Sequence, residues 1–217
     1  MILPGIYRHF KGGYYQVLGV AKHSETLEEM VTYRHMGEKE TWVRPAAMFG
    51  ETVEREGKTM PRFERVPTKV MTLCEIIDGD RILLGYKKVR FGAGKWNGFG
   101  GKPETGEMVE DSVVRELREE IGIEVDTFER RGTMFFHFPG NPELVEVPLF
   151  LITQWSGEPV ESEEVRPEWI ALKDIDYDAM WPDDRHWLPQ FIAGKSIDGY
   201  FAFDGDGAIR EMRVEFS

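Results

Sequence analysis

The chain has 217 residues, enough for one domain or two, with 41% hydrophobic residues and a formal net charge of −12. That charge argues against a duplex nucleic-acid binder, which needs a basic footprint, and no stretch is long and apolar enough to span a membrane. The charge is also uneven: residues 1–67 hold 10 Lys+Arg and 9 Asp+Glu, the remainder 17 and 30, a reason to draw a boundary near Pro67. Cys74 is the only cysteine. An intrachain disulfide is therefore excluded, which fits a reducing cytosol. The start, Met-Ile-Leu-Pro-Gly-Ile-Tyr-Arg-His-Phe, lacks the basic and apolar parts of a signal peptide, so a cytoplasmic location is expected.

Residues 1–66 read as a small, mostly β domain. Tyr14–Ala21, Met30–Tyr33 and Trp42–Arg44 are β-prone runs, and a last short strand includes Phe63. Gly12-Gly13, Gly37 and Gly57 punctuate them, so a small barrel or curled sheet is expected. Tyr7, His9, Tyr14 and Trp42 are candidates for a ligand groove, but aromatics in so small a domain more often form its core. His9, His23 and His35 stand far apart in sequence, a weak metal signal. Tyr7-Arg8-His9-Phe10-Lys11-Gly12 and Trp42-Val43-Arg44-Pro45 resemble motifs of a short bacterial domain of unknown function, which brings no known chemistry.

The second domain, residues 67–217, opens on Val70–Ile77, which reads as a buried strand. Asp78-Gly79-Asp80 is a turn, and Arg81–Lys88 is the hairpin partner. Phe91-Gly-Ala-Gly-Lys-Trp-Asn-Gly-Phe-Gly-Gly-Lys102 follows, and glycine at this density lets the backbone approach a ligand closely. An amphipathic helix comes next. Val109, Val113, Leu117 and Ile121 recur at helical spacing, while Glu116, Glu119 and Glu120 sit at i, i+3 and i+4, so their carboxylates converge on another face. Like charges at these spacings repel, and an oxygen-seeking divalent cation is one way to compensate them; a solvated acidic face is the other reading.

The whole stretch from Gly101 to Ile123 matches the pattern G-x5-E-x7-R-E-U-x-E-E-x-G-U, with U aliphatic, at all nine constrained positions. The chain thereby resembles the Nudix hydrolases. The resemblance implies an α/β/α sandwich with a mixed sheet, and an enzyme that cleaves a nucleoside diphosphate linked to another moiety with Mg²⁺ or Mn²⁺. It implies Glu116, Glu119, Glu120 and the Gly100 carbonyl as metal ligands, and Arg115 as the residue that orients a carboxylate. Strands over Gly132–Phe138, Val145–Ile152 and Trp169–Leu172 are expected after the helix. A late helix from about Asp184 and two strands containing Tyr200–Phe203 and Arg213–Phe216 complete the expected order.

Residues 70–216 are similar, more narrowly, to the mammalian-type oxidised purine nucleoside triphosphatases, which convert 8-oxo-dGTP to the monophosphate and pyrophosphate. The stretches that carry this are Phe91–Lys102, Trp181-Pro182-Asp183-Asp184 and Gly199-Tyr200-Phe201. The likeness implies Thr72, Lys87, Phe91, Asn97, Phe136, Trp181, Asp183 and Asp184 as substrate-binding residues and Glu164 as a further metal ligand. Val145 departs from it, standing where that group has a pocket methionine. Adjacent aspartates in an apolar pocket do not both ionise, so one donates and one accepts a hydrogen bond, as the edge of an oxidised guanine or adenine needs. A helix N-cap is the competing explanation of Asp183-Asp184. The expected reaction is metal-assisted hydrolysis of an oxidised purine nucleoside triphosphate. A Nudix hydrolase of another substrate, such as an ADP-sugar or a dinucleotide, and a nucleotide-sensing binding protein stay open. Residues 1–66 are then an accessory domain, offering a protein partner or dimer contact.

Overall fold

The computed structural model describes residues 1–217. Its first part contains strands β1 (Gly5–His9), β2 (Tyr14–Lys22), β3 (Glu29–His35) and β4 (Thr41–Pro45), a one-turn helix α1 (Ala46–Phe49), and strands β5 (Thr52–Arg55), β6 (Lys58–Pro61) and β7 (Phe63–Arg65). An antiparallel sheet of order β4-β3-β2-β1-β7 carries this part. The sheet is open, with β4 and β7 at its edges, so it is not a closed barrel. The β5–β6 hairpin, unforeseen from sequence, turns through Glu56 and Gly57, both at positive φ. Tyr7, Val17, Val31, Tyr33, Phe49 and Phe63 form a buried cluster in which the Phe49 and Phe63 rings stack 4.0 Å apart. Tyr7 is thus core, as the conservative reading of the aromatics has it, and His9 packs on Phe63. Trp42 is exposed and lines no groove with them.

The second part holds β8 (Thr68–Val70), β9 (Leu73–Asp78), β10 (Arg81–Lys87), β11 (Trp96–Asn97), α2 (Val109–Ile121), β12 (Glu124–His137), β13 (Leu144–Ser156), β14 (Val165–Ala171), α3 (Asp184–Ile192), β15 (Ile197–Phe203) and β16 (Ile209–Phe216). These strands make one nine-stranded mixed sheet. Its spine runs β11-β10-β9-β13-β12-β15-β16, β14 pairs with β10, and β8 lies beside β13. The β8–β13, β9–β13 and β12–β15 pairs are parallel. The expected strand from Val70 is two strands: Met71 N still bonds the Glu146 carbonyl of β13, but Thr72 turns its N–H to Gly101 instead. β12 begins at Glu124, well before the expected start. Its first half is polar because most of its side chains face solvent, and only Val125 and Phe128 pack inward.

Alternation along the strands sends side chains to two faces. One face carries Ile82, Leu84, Met134, Val147, Leu149 and Phe201 and is closed by Trp187, Leu188 and Phe191 of α3. The other is covered in two places. Cys74, Ile76, Leu83 and Phe150 receive Val113, Leu117 and Ile121 of α2, the stripe expected from the spacing. Farther along, Phe135, Leu144, Tyr200 and Ala202 receive Ile6 and Met36 from the first sheet, with Tyr14 against Tyr200. The two sheets therefore share a core. Tyr200 is fully buried there, so Tyr200→Ala is expected to destabilise the whole chain by about 3–5 kcal/mol, the usual range for removing a large buried aromatic ring. Urea or thermal unfolding checks this, and a single transition for both parts is the expected form.

Candidate active site

The site is built where the glycine-rich segment crosses from one face of the sheet to the other. Phe99 pairs with Cys74 through reciprocal backbone hydrogen bonds of 2.7 and 3.0 Å, and its ring enters the core under α2. Thr72 N donates to the Gly101 carbonyl at 2.8 Å, and Gly101 N donates to Thr72 Oγ1 at 3.2 Å. Glu116 lies so close behind Gly101 that a Cβ there would overlap its carboxyl group. Glycine at 101 is thus a condition for the position of Glu116. Gly101→Ala is expected to displace that carboxyl and lower kcat by roughly tenfold or more, on the scale that misplacing a reacting group costs; steady-state kinetics beside a melting curve separate this from unfolding.

α2 holds the acidic face. Acidic Glu110 and Asp111 occupy its first turn, and Gly122 ends it in the left-handed conformation, its N–H bonding the Arg118 carbonyl. Arg115 organises the carboxylates. It makes a bidentate pair with Glu107 at 2.8 and 2.9 Å and reaches Glu116 at 3.0 Å and Glu119 at 3.1 Å. These bonds hold the Glu107 carboxyl down at about 2, so it stays ionised. Burial pushes Glu116 above the ordinary carboxylate range while Arg115 pulls it back. Glu120 is 10% exposed and accepts from Lys87 Nζ at 3.0 Å and from Gly100 N at 3.1 Å. Glu119 is 61% exposed. The three helix carboxylates are neutralised by Arg115 and Lys87 and are not gathered at metal-holding distances. As a donor set they are all hard oxygen, three carboxylates on adjacent turns with a backbone carbonyl nearby, which fits a small divalent cation. Glu164 stands apart from them, paired with Arg90 at 2.8 Å, although its neighbour Val165 is opposite Lys87 in the β10–β14 register.

On the other face, Trp181, Asp183 and Asp184 meet the start of α3. Asp183 makes no side-chain cap bond; instead its Oδ2 accepts from Trp187 Nε1 at 3.2 Å. Asp184 Oδ2 accepts from Trp181 N at 2.9 Å. Both aspartates are buried. Burial pushes Asp183 up to about 6, and burial together with the Asp183 and Glu75 charges pushes Asp184 well above the ordinary range. Phe91, itself exposed, stacks on Trp181 with ring centres 4.9 Å apart. Phe136, half-buried, stacks with the buried Phe201 and Phe203, Val145 is in the same core, and Asn97 is half-buried opposite Gly85.

Sequence reasoning passed over three residues here. Lys95 bonds the Met180 carbonyl at 2.9 Å and lies over the Trp181 ring, tying the glycine-rich segment to the aspartate side. Glu107 was visible only as a motif position, not as the partner of Arg115. Glu75 is a buried carboxyl in the middle of β9, and its signal was an acidic residue inside an otherwise apolar run.

The NUDIX domain model matches residues 67–191, and the model described as Protein of unknown function (DUF1653) matches residues 5–65. The chain is 45% identical to the oxidized purine nucleoside triphosphate hydrolase of Danio rerio over 148 residues, 68% of this chain and 95% of that protein. It is 44% identical to the Mus musculus protein of the same name over 142 residues, 65% of this chain and 91% of that one. Among solved structures, the mutator MutT protein from Bacillus halodurans superposes with a TM-score of 0.58 at 28% identity, covering 68% of this chain and 97% of that chain.

Proposed function

The chain belongs to the Nudix family, and we propose that within it this hydrolase acts on oxidised purine nucleoside triphosphates, of the 8-oxo-dGTP and 2-hydroxy-dATP type, so clearing the nucleotide pool of damaged bases. The observation that carries the reading is the buried Asp183–Asp184 pair beside the Phe91–Trp181 stack, joined by one glycine-rich segment to the glutamates of α2. The names of the relatives that are 44–45% identical support it. Asp184 keeps its proton and donates; Asp183 ionises above about 6 and accepts. Asn97 supplies a further donor and acceptor, and Phe91, Trp181 and Phe136 supply apolar walls for the base. Thr72 orders the segment that carries Gly100 and Gly101.

Glu116, Glu119, Glu120 and the Gly100 carbonyl would hold Mg²⁺ or Mn²⁺, with Glu164 as an outer ligand. The bound metal supplies charge neutralisation at the phosphates and a more acidic water. Glu116, held behind Gly101 and steadied by Arg115, takes the proton of the attacking water. Lys87 then has a phosphate oxygen as an alternative partner to Glu120. Water adds to phosphorus, the bridging P–O bond breaks, and the products are the nucleoside monophosphate and pyrophosphate. Residues 1–66 serve as an accessory domain that also completes the core of residues 67–217, and its exposed Trp42 and Val43 offer a protein contact.

Product analysis with 8-oxo-dGTP and Mg²⁺ tests the reading: monophosphate and pyrophosphate are expected, with turnover abolished by a chelator. Diphosphate and inorganic phosphate, or turnover of an ADP-sugar alone, would overturn it. A pH dependence follows too. kcat/KM for 8-oxo-dGTP rises as pH passes through about 6, where Asp183 loses its proton, and Asp183→Asn removes that rise. The sign for stability is opposite. A carboxyl whose folded value lies above its unfolded one contributes stability below the ordinary value near 3.8, and that contribution is lost as pH rises through about 6.

A further inference from the structure

Two buried side-chain atoms have no hydrogen-bond partner in the chain, Glu75 Oε2 and His137 Nδ1. His137 lies against Tyr14, where the two sheets meet. Glu75 lies in the site. Cys74 and Ile76 point under α2, whereas Leu73 and Ile77 pack on the α3 face, so alternation sends Glu75 to the α3 face with them. Gly98 passes directly over the carboxyl: a Cβ at 98 would stand 2.5 Å from Glu75 Oε1. Asn97 is the next residue along that segment. On the other side Asp184 and Tyr177 are near enough that ionising Glu75 would oppose their own ionisation. No hydrogen bond joins Glu75 to any of these groups.

An unpartnered buried carboxyl lowers stability, and an apolar side chain would suit these surroundings better. Costs of this kind gather at functional sites. We infer that Glu75 is a specificity-determining residue of the base pocket, a third carboxyl that donates its O–H to an acceptor on the purine of the bound nucleotide, alongside Asp183 and Asp184. The inference rests on the base pocket proposed above. Burial pushes the Glu75 carboxyl up to about 8, so at neutral pH it carries the proton that such a donor needs.

The test compares wild type, Glu75→Leu and Glu75→Gln by melting temperature and by steady-state hydrolysis of 8-oxo-dGTP with Mg²⁺. Glu75→Leu is expected to melt higher than wild type, yet to raise KM roughly tenfold with kcat little changed, the scale of one lost hydrogen bond. Glu75→Gln keeps a donor and retains a KM within about threefold of wild type. A Glu75→Leu protein with unchanged KM, or one that melts lower or fails to fold, would overturn the inference while leaving the proposed activity in place. A wild type that hydrolyses no purine triphosphate overturns both, and the wild-type arm alone reveals that.

Discussion

Asp184→Ala is expected to lower kcat/KM for 8-oxo-dGTP by roughly 10³-fold, because a site built to hydrogen-bond a polar edge rejects strongly once its own partner is gone. The residue is 2% exposed and does two things at once. Its Oδ2 accepts the Trp181 N–H, which fixes the ring that Phe91 stacks on. Its proton, retained because burial and the neighbouring Asp183 charge oppose ionisation, gives the base a donor. Alanine removes both. Asp184→Asn is neutral as well and keeps an acceptor and a donor, so it is expected to recover a large part of the loss. Pyrophosphate release over a range of substrate concentrations reads the effect, mainly in KM. Equal KM values for Asp184→Ala and wild type would remove the aspartate pair from base recognition.

Glu119→Gln is expected to act on the other parameter. Its side chain is largely in solvent and its one internal contact is with Arg115, so the fold and the melting temperature are expected to stay unchanged. kcat is expected to fall by about 10²–10⁴-fold, the range for losing one group of an acid–base or metal-holding set, with KM little altered. Asp184→Ala and Glu119→Gln therefore separate recognition from chemistry. A Glu119→Gln enzyme with wild-type kcat would move the chemistry off the acidic face of α2.

Periodicity made much of this legible. The stripe Val109, Val113, Leu117, Ile121 buries as its spacing requires, and the same spacing leaves Glu116 and Glu120 on the side of α2 that faces Gly101 and Gly100, with Glu119 farther out on Arg115. The start of α3 was readable from Asp184 and the apolar residues that follow. Long-range pairing was not. Nothing local tells that β8 and β9 are separate strands on one edge of β13, since the interruption is made by Gly101, which is distant in sequence. The early half of β12 escaped because most of its side chains face solvent and a register shift at Thr127 breaks the alternation between its two inward residues, Val125 and Phe128. The shared core of the two sheets escaped for a different reason. Tyr14 reads as an ordinary strand aromatic, and only the fold places it on Tyr200 and His137. Glu75 shows the limit at the site: an acid in a buried strand is conspicuous, but only the structure shows which face receives it.

The most direct measurement is the ratio of wild-type kcat/KM for 8-oxo-dGTP to that for dGTP, with Mg²⁺ at neutral pH. A donor–acceptor pocket made by Asp183 and Asp184 predicts a clear preference for the oxidised base, of roughly tenfold or more, the worth of about one well-placed hydrogen bond. Equal turnover of the two nucleotides would leave the α2 chemistry standing and contradict the claim that this chain recognises oxidised purines.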